Sequence, residues 1–485
     1  MNPSGPHQAA KPDFKRSVAS ALANAHLGAA MDTATRRQDT ARRAMMPELG
    51  DPLAVRNLGA QIKNHTLQHL DRYVEQLVEN VRKNGGVVHF AETAEDACQI
   101  VADIAREAGV QRIVKSKSMV SEEVHLNEAL IDAGFEVTET DLGEYILQLA
   151  DERPSHIVTP VLHRTREDIG RLFADKLGME YTEDPPTLTA VARAVLREKF
   201  KSADMGITGV NFAVAETGTL AIVTNEGNGR MCTSVPRVVV SLMGVEKIVP
   251  RLIDLAVYLK LLAKSATGQR ITCYTNLLTG PRRAGDVDGP EAFHLVLLDR
   301  GRSEVLGGDY WEALRCIRCG ACLNACPVYR KIGGHAYESV YPGPIGKVIT
   351  PLLNSLADYK DLPQASSLCE ACYEACPQRI NLPAMLLRLR DELRHGGYAP
   401  LSWRIGFKGW RLGMQSHGFY SWGAALGRIF MRLLAKDGWV RRMPAGPGAV
   451  WTRYRDLPLL AKRPFHKRWP ALKAELDRKR REEPS

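Results

Sequence analysis

The sequence predicts an α/β domain, then a smaller helical domain built around cysteines, then a basic C-terminal extension. Three observations carry that expectation. Short runs of branched apolar residues alternate with longer amphipathic stretches between about residues 87 and 298. Seven of the ten cysteines crowd into two runs between residues 316 and 376. The formal charge of +10 is concentrated visibly in a tail rich in lysine and arginine. At 485 residues the chain is long enough for two or three domains and has apolar content for a substantial core.

Residues 1–56 are rich in alanine and arginine and read as an N-terminal helical arm, with an amphipathic helix over 18–31 before a flexible link. From residue 57, Leu67, Leu70, Val74 and Leu77 recur at three or four residues, the helical period, until Gly85 and Gly86 end the helix. Strands at 87–90, 112–114 and 135–140 then alternate with helices at 95–108 and 122–133. Strand, helix, strand at this pace implies crossovers and a mainly parallel sheet covered on both faces. A strand at 155–159 continues the series, and runs at 212–215, 220–224, 238–242, 272–277 and 294–298 are expected to extend the same sheet. The α/β domain is placed at 57–300.

The first cysteine run is Cys316, Cys319, Cys322 and Cys326 before Pro327, and the second is Cys369, Cys372 and Cys376 before Pro377. Three thiolates spaced in this way wrap one face of a cubane, and the cysteine before proline ligates the other cluster in two-cluster ferredoxins. By that crossing rule Cys316, Cys319, Cys322 and Cys376 hold one [4Fe-4S] centre, while Cys326 joins Cys369 and Cys372 on the second. The position of a fourth ligand, three residues before Cys369, is Ser366. A serine oxygen, a water, a partner's ligand or a three-iron cluster are the alternatives there. Zinc fits poorly, because its sites pair cysteines as two separated CxxC units. Disulfides fit poorly in a chain read as lacking a secretory signal, since intracellular thiols stay reduced. This domain spans 309–397 and leaves through a helix carrying Met385, Leu386, Leu389 and Leu393. Between the runs, a tyrosine-, glycine- and proline-rich segment at 333–346 is expected to cover a cluster or face a partner.

Chemistry in the α/β domain is harder to read. Two glycine turns stand at strand ends, ETGT at 216–219 and NEGNGR at 225–230, where open α/β sheets bind ligands. Glu216 or Glu226 is a candidate base or anchor, and Arg230 a candidate carboxylate clamp; tight turns satisfying their own backbone are the plain alternative. Lys115 and Lys117 follow a strand and are candidates for an anion, or simply solvated. Asp141, Glu144, His156 and His163 are candidate proton acceptors, against structural roles. Cys98, Cys232 and Cys273 read as buried small hydrophobes.

The extension, 398–485, reads first as a solvated face or mobile tail, against an acidic partner, an anionic membrane surface as a peripheral contact, or nucleic acid; Trp451, Tyr454, Phe465 and Trp469 interleaved with its cations suggest docking more than free disorder. No nucleic-acid motif is present and no nucleic-acid partner is expected. The longest apolar stretch, near 412–434, is interrupted by glycines, Gln415, His417, Arg428 and Arg432, so no transmembrane span is expected.

Four longer segments carry a resemblance: VKSKSMVSEEVHLNEAL from Val114, ETDLGEYILQLA from Glu139, GITGVNFAVAETGTLAIVTNEGNGR from Gly206, and CIRCGACLNACPVYRKIGGHAYESVYPGPIG from Cys316. Over about residues 51–390 the chain resembles the lactate-utilisation protein B family. The resemblance implies an α/β fold of the CoA-transferase and formyltetrahydrofolate cyclo-ligase type, followed by an α-helical ferredoxin-like domain with two [4Fe-4S] clusters. It implies a cytoplasmic subunit of a three-part system oxidising L-lactate to pyruvate, beside a cysteine-rich subunit and a smaller subunit sharing the α/β domain. The family's cluster positions fall on the two cysteine sets given above. Glu370 departs from the glycine expected there, and its carboxylate would lower the potential of the neighbouring cluster.

No GxGxxG follows a strand, so no self-contained NAD or flavin site is evident. The expected role is therefore electron transfer within a multi-subunit L-lactate dehydrogenase, with the electron acceptor unassigned. The rival is an α/β-domain ligase or CoA-handling enzyme whose clusters are regulatory.

Overall fold

The structure, a computed structural model, describes residues 12–398 and 401–482. Of these, residues 12–397 form one compact unit and those from 398 onward another. The first holds ten strands: β1 Val87–Ala91, β2 Arg112–Lys115, β3 Glu136–Glu139, β4 Met205–Gly209, β5 Phe212–Val214, β6 Thr219–Thr224, β7 Val238–Gly244, β8 Ile248–Val249, β9 Tyr274–Leu278 and β10 Ala292–Leu298.

Six strands make the main sheet in the order β1-β10-β7-β4-β2-β3, and every neighbouring pair is parallel. All seven residues of β7 are buried, as expected of a parallel strand with helices on both faces. From β2 the chain goes outward to β3, then returns to the other side of β2 as β4. The sheet therefore has a switch point between β2 and β4, where a crevice opens at the strand ends.

Three expected features are corrected. The runs near 212, 220 and 272 do not extend the main sheet; with β8 they form a second sheet, β8-β5-β6-β9, of mixed direction. The turn between β5 and β6 is too short for a crossover, so the pair must be an antiparallel hairpin. Residues 155–159 are a loop rather than a strand. Pro154 and Pro160 bracket it, and the Ser155 N–H and hydroxyl both donate to the Pro160 carbonyl at 3.0 Å, closing the loop on itself. The expected helix at 122–133 is broken into Met119–Glu123 and Leu126–Asp132 by His125, whose φ is 55°.

Strand β4, central in the sheet, escaped notice because its sequence, MGITG, carries two glycines, which weaken a strand signal. Packing explains the first of them: a Cβ at Gly206 would lie 1.8 Å from the Cys232 carbonyl oxygen. Helices Arg166–Leu177 and Pro185–Lys201 fill the interval before β4. The first opens on a capping box between Thr165 and Asp168, and the second on Asp184 followed by prolines.

N-terminal helices Phe14–Ala23 and Ala25–Met45 pack on the cysteine-rich segment, with Met31 fully buried. In place of the expected flexible link, the 3₁₀ turn Met46–Leu49 is tied to the α/β domain. There Glu48 pairs with Lys264 at 3.1 Å and Arg270 at 2.8 Å.

The second unit consists of helices Leu401–Gln415, His417–Leu434, Gly446–Trp451 and Phe465–Glu482, with a two-stranded antiparallel ladder, Trp439–Val440 against Leu457–Pro458. Trp403, Phe407, Trp410, Phe419, Trp422 and Leu433 are exposed along its first two helices. No helix among the described residues is long and apolar enough to cross a membrane.

Candidate functional site

The two cysteine runs fold alike. In the first, Arg318 (φ 57°) and Gly320 (φ 74°) take left-handed backbone on either side of Cys319, and helix Ala321–Ala325 carries Cys322 toward Cys326. In the second, Leu368 (φ 55°) and Glu370 (φ 63°) do the same around Cys369, and helix Ala371–Ala375 carries Cys372 toward Cys376. Such turns curl the backbone so that successive cysteines face one centre. They also aim amides at sulfur: the Arg318 N–H donates to Cys316 Sγ at 3.4 Å and the Ile380 N–H to Cys376 Sγ at 3.5 Å. At the serine of the second run, Ser366 Oγ accepts from the Leu368 N–H at 3.2 Å.

Cys316, Cys319, Cys322 and Cys376 line one small cavity walled by Ile157, Ile317, Ile345, Ile380 and Leu382. Burial pushes the thiols of Cys319, Cys322 and Cys376 up, and neighbouring sulfurs of this ring push them further. Cys326, Cys372 and Cys369 gather instead about Lys347. Its buried ammonium lies 3.8 Å from Cys326 Sγ and over the Tyr337 ring at 5.6 Å. Burial pushes the Cys372 thiol up to about 12, with Cys326 adding and Lys347 opposing. Clustered sulfur donors, most of them buried, with cations rather than acids beside them match the demand of soft, thiolate-ligated iron. A Cβ at Gly320 would stand 3.2 Å from His156 and Val158, a tight contact at a position whose φ of 74° already favours glycine. No three His, Cys, Asp or Glu side chains among the described residues are placed as ligands of a single metal ion.

Arg56, on helix Pro52–Gln68, caps the second run's short helix. Its guanidinium donates to the carbonyls of Cys376 at 2.7 Å and Glu374 at 2.8 Å.

A cleft of about 330 Å³ opens at the switch point of the main sheet. Its lining comes from the segments following β2 and β4, from β6, and from Lys247, which follows β7. Ile157 and Arg318 line both this cleft and the cysteine cavity, so the two are separated by little more than those side chains. Arg318 stacks over Tyr341 at 4.3 Å and pairs with Glu246 at 3.6 Å. Behind it, buried Arg302 bonds Glu246 at 2.7 Å and Glu123 at 2.8 Å, and the Tyr341 hydroxyl donates to the same Glu123, joining the cysteine-rich segment to the α/β domain. Burial pulls Lys247 down to about 8, with Glu246 opposing.

Of the α/β candidates, the cleft gathers Lys117, Asp141 and Glu226. Lys117 donates to the Val158 carbonyl at 2.5 Å, and Asp141 caps helix Leu142–Ala150. Glu226, at the exposed rim, accepts from the Leu142 N–H at 3.2 Å; partial desolvation and then Asp141 push its carboxyl up. The others lie elsewhere. Glu216 accepts from the Leu252 N–H at 2.8 Å, and its hairpin turn is held by the Asn80 and Asn84 amides. Arg230 is exposed on helix Asn228–Ser234 and is not part of the cleft lining. His163 bridges Ser155 at 2.8 Å and Glu152 at 2.9 Å. His156 is buried, accepts from the N–H groups of Val158 and Thr159, and meets Asn324 of the first run at 3.2 Å. Lys115 is fully buried against Glu139 at 2.7 Å and Glu122 at 3.1 Å, and burial beside Glu139 pushes the Glu144 carboxyl up. Cys232 is buried, Cys98 half-buried, and Cys273 exposed, contrary to the burial expected of it.

Sequence reasoning missed Lys247, Arg318 and Tyr341. A lysine just past a buried strand end was a signal for the first. Nothing local announced the other two, which reach the cleft from the cysteine-rich segment.

A family model described as the LUD domain matches residues 74–298, and one described as a 4Fe-4S dicluster domain matches residues 312–380. Among curated proteins, Lactate utilization protein B of Bacillus licheniformis is 48% identical over 447 residues, covering 92% of this chain and 94% of its own. Its namesake in Bacillus subtilis is 47% identical over 447 residues, covering 92% and 93%. That of Shouchella clausii is 47% identical over 455 residues, covering 93% and 95%. Among solved structures, a DUF162 family protein from Deinococcus radiodurans aligns at a TM-score of 0.28 and 12% identity, over 47% of this chain and 98% of its own, too weakly to support an argument.

Fold and motif together define an iron-sulfur protein in which an α/β LUD domain with a parallel sheet precedes a 4Fe-4S dicluster domain. The dicluster domain implies two [4Fe-4S] clusters. The chain belongs to the lactate utilization protein B family.

Proposed function

We propose that this chain is the iron-sulfur electron-transfer subunit of an assembly that oxidises L-lactate to pyruvate. The carrying observation is the pair of interleaved thiol groups. Cys316, Cys319, Cys322 and Cys376 share one apolar cavity, and Cys326, Cys369 and Cys372 gather about Lys347. We assign the first set to one cluster and the second set, with Ser366 as fourth ligand, to the other. Each cluster, when present, takes and returns one electron.

The chain's own residues set the conditions for that transfer. Isoleucine and leucine walls limit the contact of the first thiol ring with water, and amide donors and, at the second set, Lys347 favour the added negative charge. Similarity to proteins named for lactate utilisation supports the substrate and partners in that system; the resemblance of the sequence segments implies that these are a cysteine-rich subunit and a smaller α/β subunit in a cytoplasmic setting. The resemblance likewise supports the CoA-transferase-like form of the α/β domain. The acceptor of the electrons is left unassigned.

The test is anaerobic purification with co-expressed neighbours, followed by addition of L-lactate. The reading expects cluster bleaching in the visible spectrum and loss of that response without the partner subunits. Clusters that stay oxidised with every partner present would contradict it.

A further inference from the structure

Two buried cations face the cleft without adequate partners. Arg318 has a side chain only 8% exposed, its Nη1 has no hydrogen-bond partner, and its one acid, Glu246, stands at 3.6 Å. Lys247 is 6% exposed, and its ammonium makes no hydrogen bond or ion pair among the described residues. Leaving the Arg318 donor buried and unsatisfied is costly unless something supplies the acceptor, while the Lys247 ammonium opens onto the cleft. Both line the same cleft, at the sheet's switch point, where open α/β sheets place their ligands.

We propose that this cleft binds a small monocarboxylate, the class that includes 2-hydroxy and 2-oxo acids, with its carboxylate held by Lys247 and Arg318 beside the Cys316 ring. This deepens the electron-transfer reading and rests on it for the identity of the acid, although the site itself is argued from the side chains. A planar guanidinium held in place by Tyr341 and Glu246 offers a fork that matches two carboxylate oxygens. Val210, Ile222 and Leu262 put apolar side chains into a lining that also carries serines, threonines and asparagines, and so suit a short carbon chain with polar substituents. Charge narrows the class. Lys117, Lys247 and Arg318 line the cleft with Asp141 and Glu226, which leaves a net of one positive charge in the lining, a better match to a single negative charge than to a polyanion such as a nucleotide or CoA.

The competing account is that Lys247 and Arg318 only balance the charge of thiolate-bound iron. Ligand binding separates the two. Anaerobically purified full-length protein would be titrated by calorimetry with L-lactate, pyruvate, acetate, ADP and CoA, and the reduced clusters examined by electron paramagnetic resonance with and without each. The proposal expects saturable binding of L-lactate or pyruvate, a changed signal from the cluster nearer the cleft, and little binding of ADP or CoA. K247Q should weaken carboxylate binding at least tenfold at unchanged iron content, and R318K should weaken it less than R318Q. If R318Q fails to assemble, K247Q carries the test alone.

Protein with full clusters that binds no monocarboxylate, binds it equally well as K247Q, or prefers ADP or CoA would overturn the proposal. The first two outcomes leave the electron-transfer reading standing. Carboxylate binding by protein whose clusters never accept electrons would support the site while removing the electron-transfer reading.

Discussion

The backbone N–H of Leu368 donates to the Ser366 hydroxyl at 3.2 Å, repeating in the second cysteine run the bond from the Arg318 N–H to Cys316 Sγ at 3.4 Å in the first. The flanking residues repeat it too, since Leu368 and Arg318 share a left-handed φ of 55° and 57°. Ser366 thus occupies the conformational place of a ligand, with oxygen where its counterpart has sulfur.

S366A should leave a labile iron in the second cluster, giving a three-iron signal on mild oxidation, while the first cluster is unchanged. S366C should restore a four-thiolate set and abolish that lability. An unaltered paramagnetic spectrum in S366A would reject serine ligation.

Glu370 holds a φ of 63° where its counterpart in the first run is Gly320 at 74°. A left-handed non-glycine residue costs roughly 1–2 kcal/mol, and the extra chain entropy of glycine offsets about 0.5–1 kcal/mol of this. E370G should therefore raise stability by about 0.5–1 kcal/mol, read as an upward shift of the thermal midpoint. It should also raise the second cluster's potential by removing a nearby carboxylate.

The cysteine spacing made the motif legible in the sequence because ligand runs are local: wrapping turns and short helices need only neighbours. Strands β1, β2 and β10 were legible for the same reason, as compact branched runs. What failed was non-local. The loop at Ser155 reads as a strand by composition, yet its backbone bonds to Pro160 and accepts from the Tyr329 hydroxyl at 2.7 Å, a partner 174 residues away. Arg318 hid inside a cysteine motif, and only the folded chain turns it toward a cleft in another domain.

Lys347 places its ammonium 3.8 Å from Cys326 Sγ in a buried setting. K347M removes a cation that favours the reduced cluster. At an effective dielectric of about 20 a full unit charge at this distance is worth about 4 kcal/mol, which sets an upper bound of roughly 170 mV for one electron spread over a cluster. Redox titration should show the second cluster's potential lowered and the first cluster's little changed.

Arg56 supplies charge-assisted bonds to the carbonyls of Cys376 and Glu374 from outside the cysteine-rich segment. R56M should cost about 2–3 kcal/mol of stability and speed the loss of the first cluster in air, followed by bleaching of the visible absorption.

His156 is buried, and burial, then Lys117, pulls its pKa from 6.5 to about 3. The folded state holds it neutral while the unfolded chain takes up a proton below pH 6.5, so its contribution is full above that pH and falls as the pH drops toward 3. Between pH 6.5 and 5 the loss should be about 2 kcal/mol. Urea midpoints of wild type and H156Q should show a shallower acid dependence in the variant.

The account depends above all on two interleaved [4Fe-4S] clusters, and the most direct measurement is the iron and acid-labile sulfide content of protein prepared without oxygen. It predicts about eight of each per chain, falling by about half in C322A while the cluster on Cys326, Cys369 and Cys372 persists. Oxygen-free protein carrying neither iron nor sulfide, or a C322A variant with undiminished iron, would contradict it.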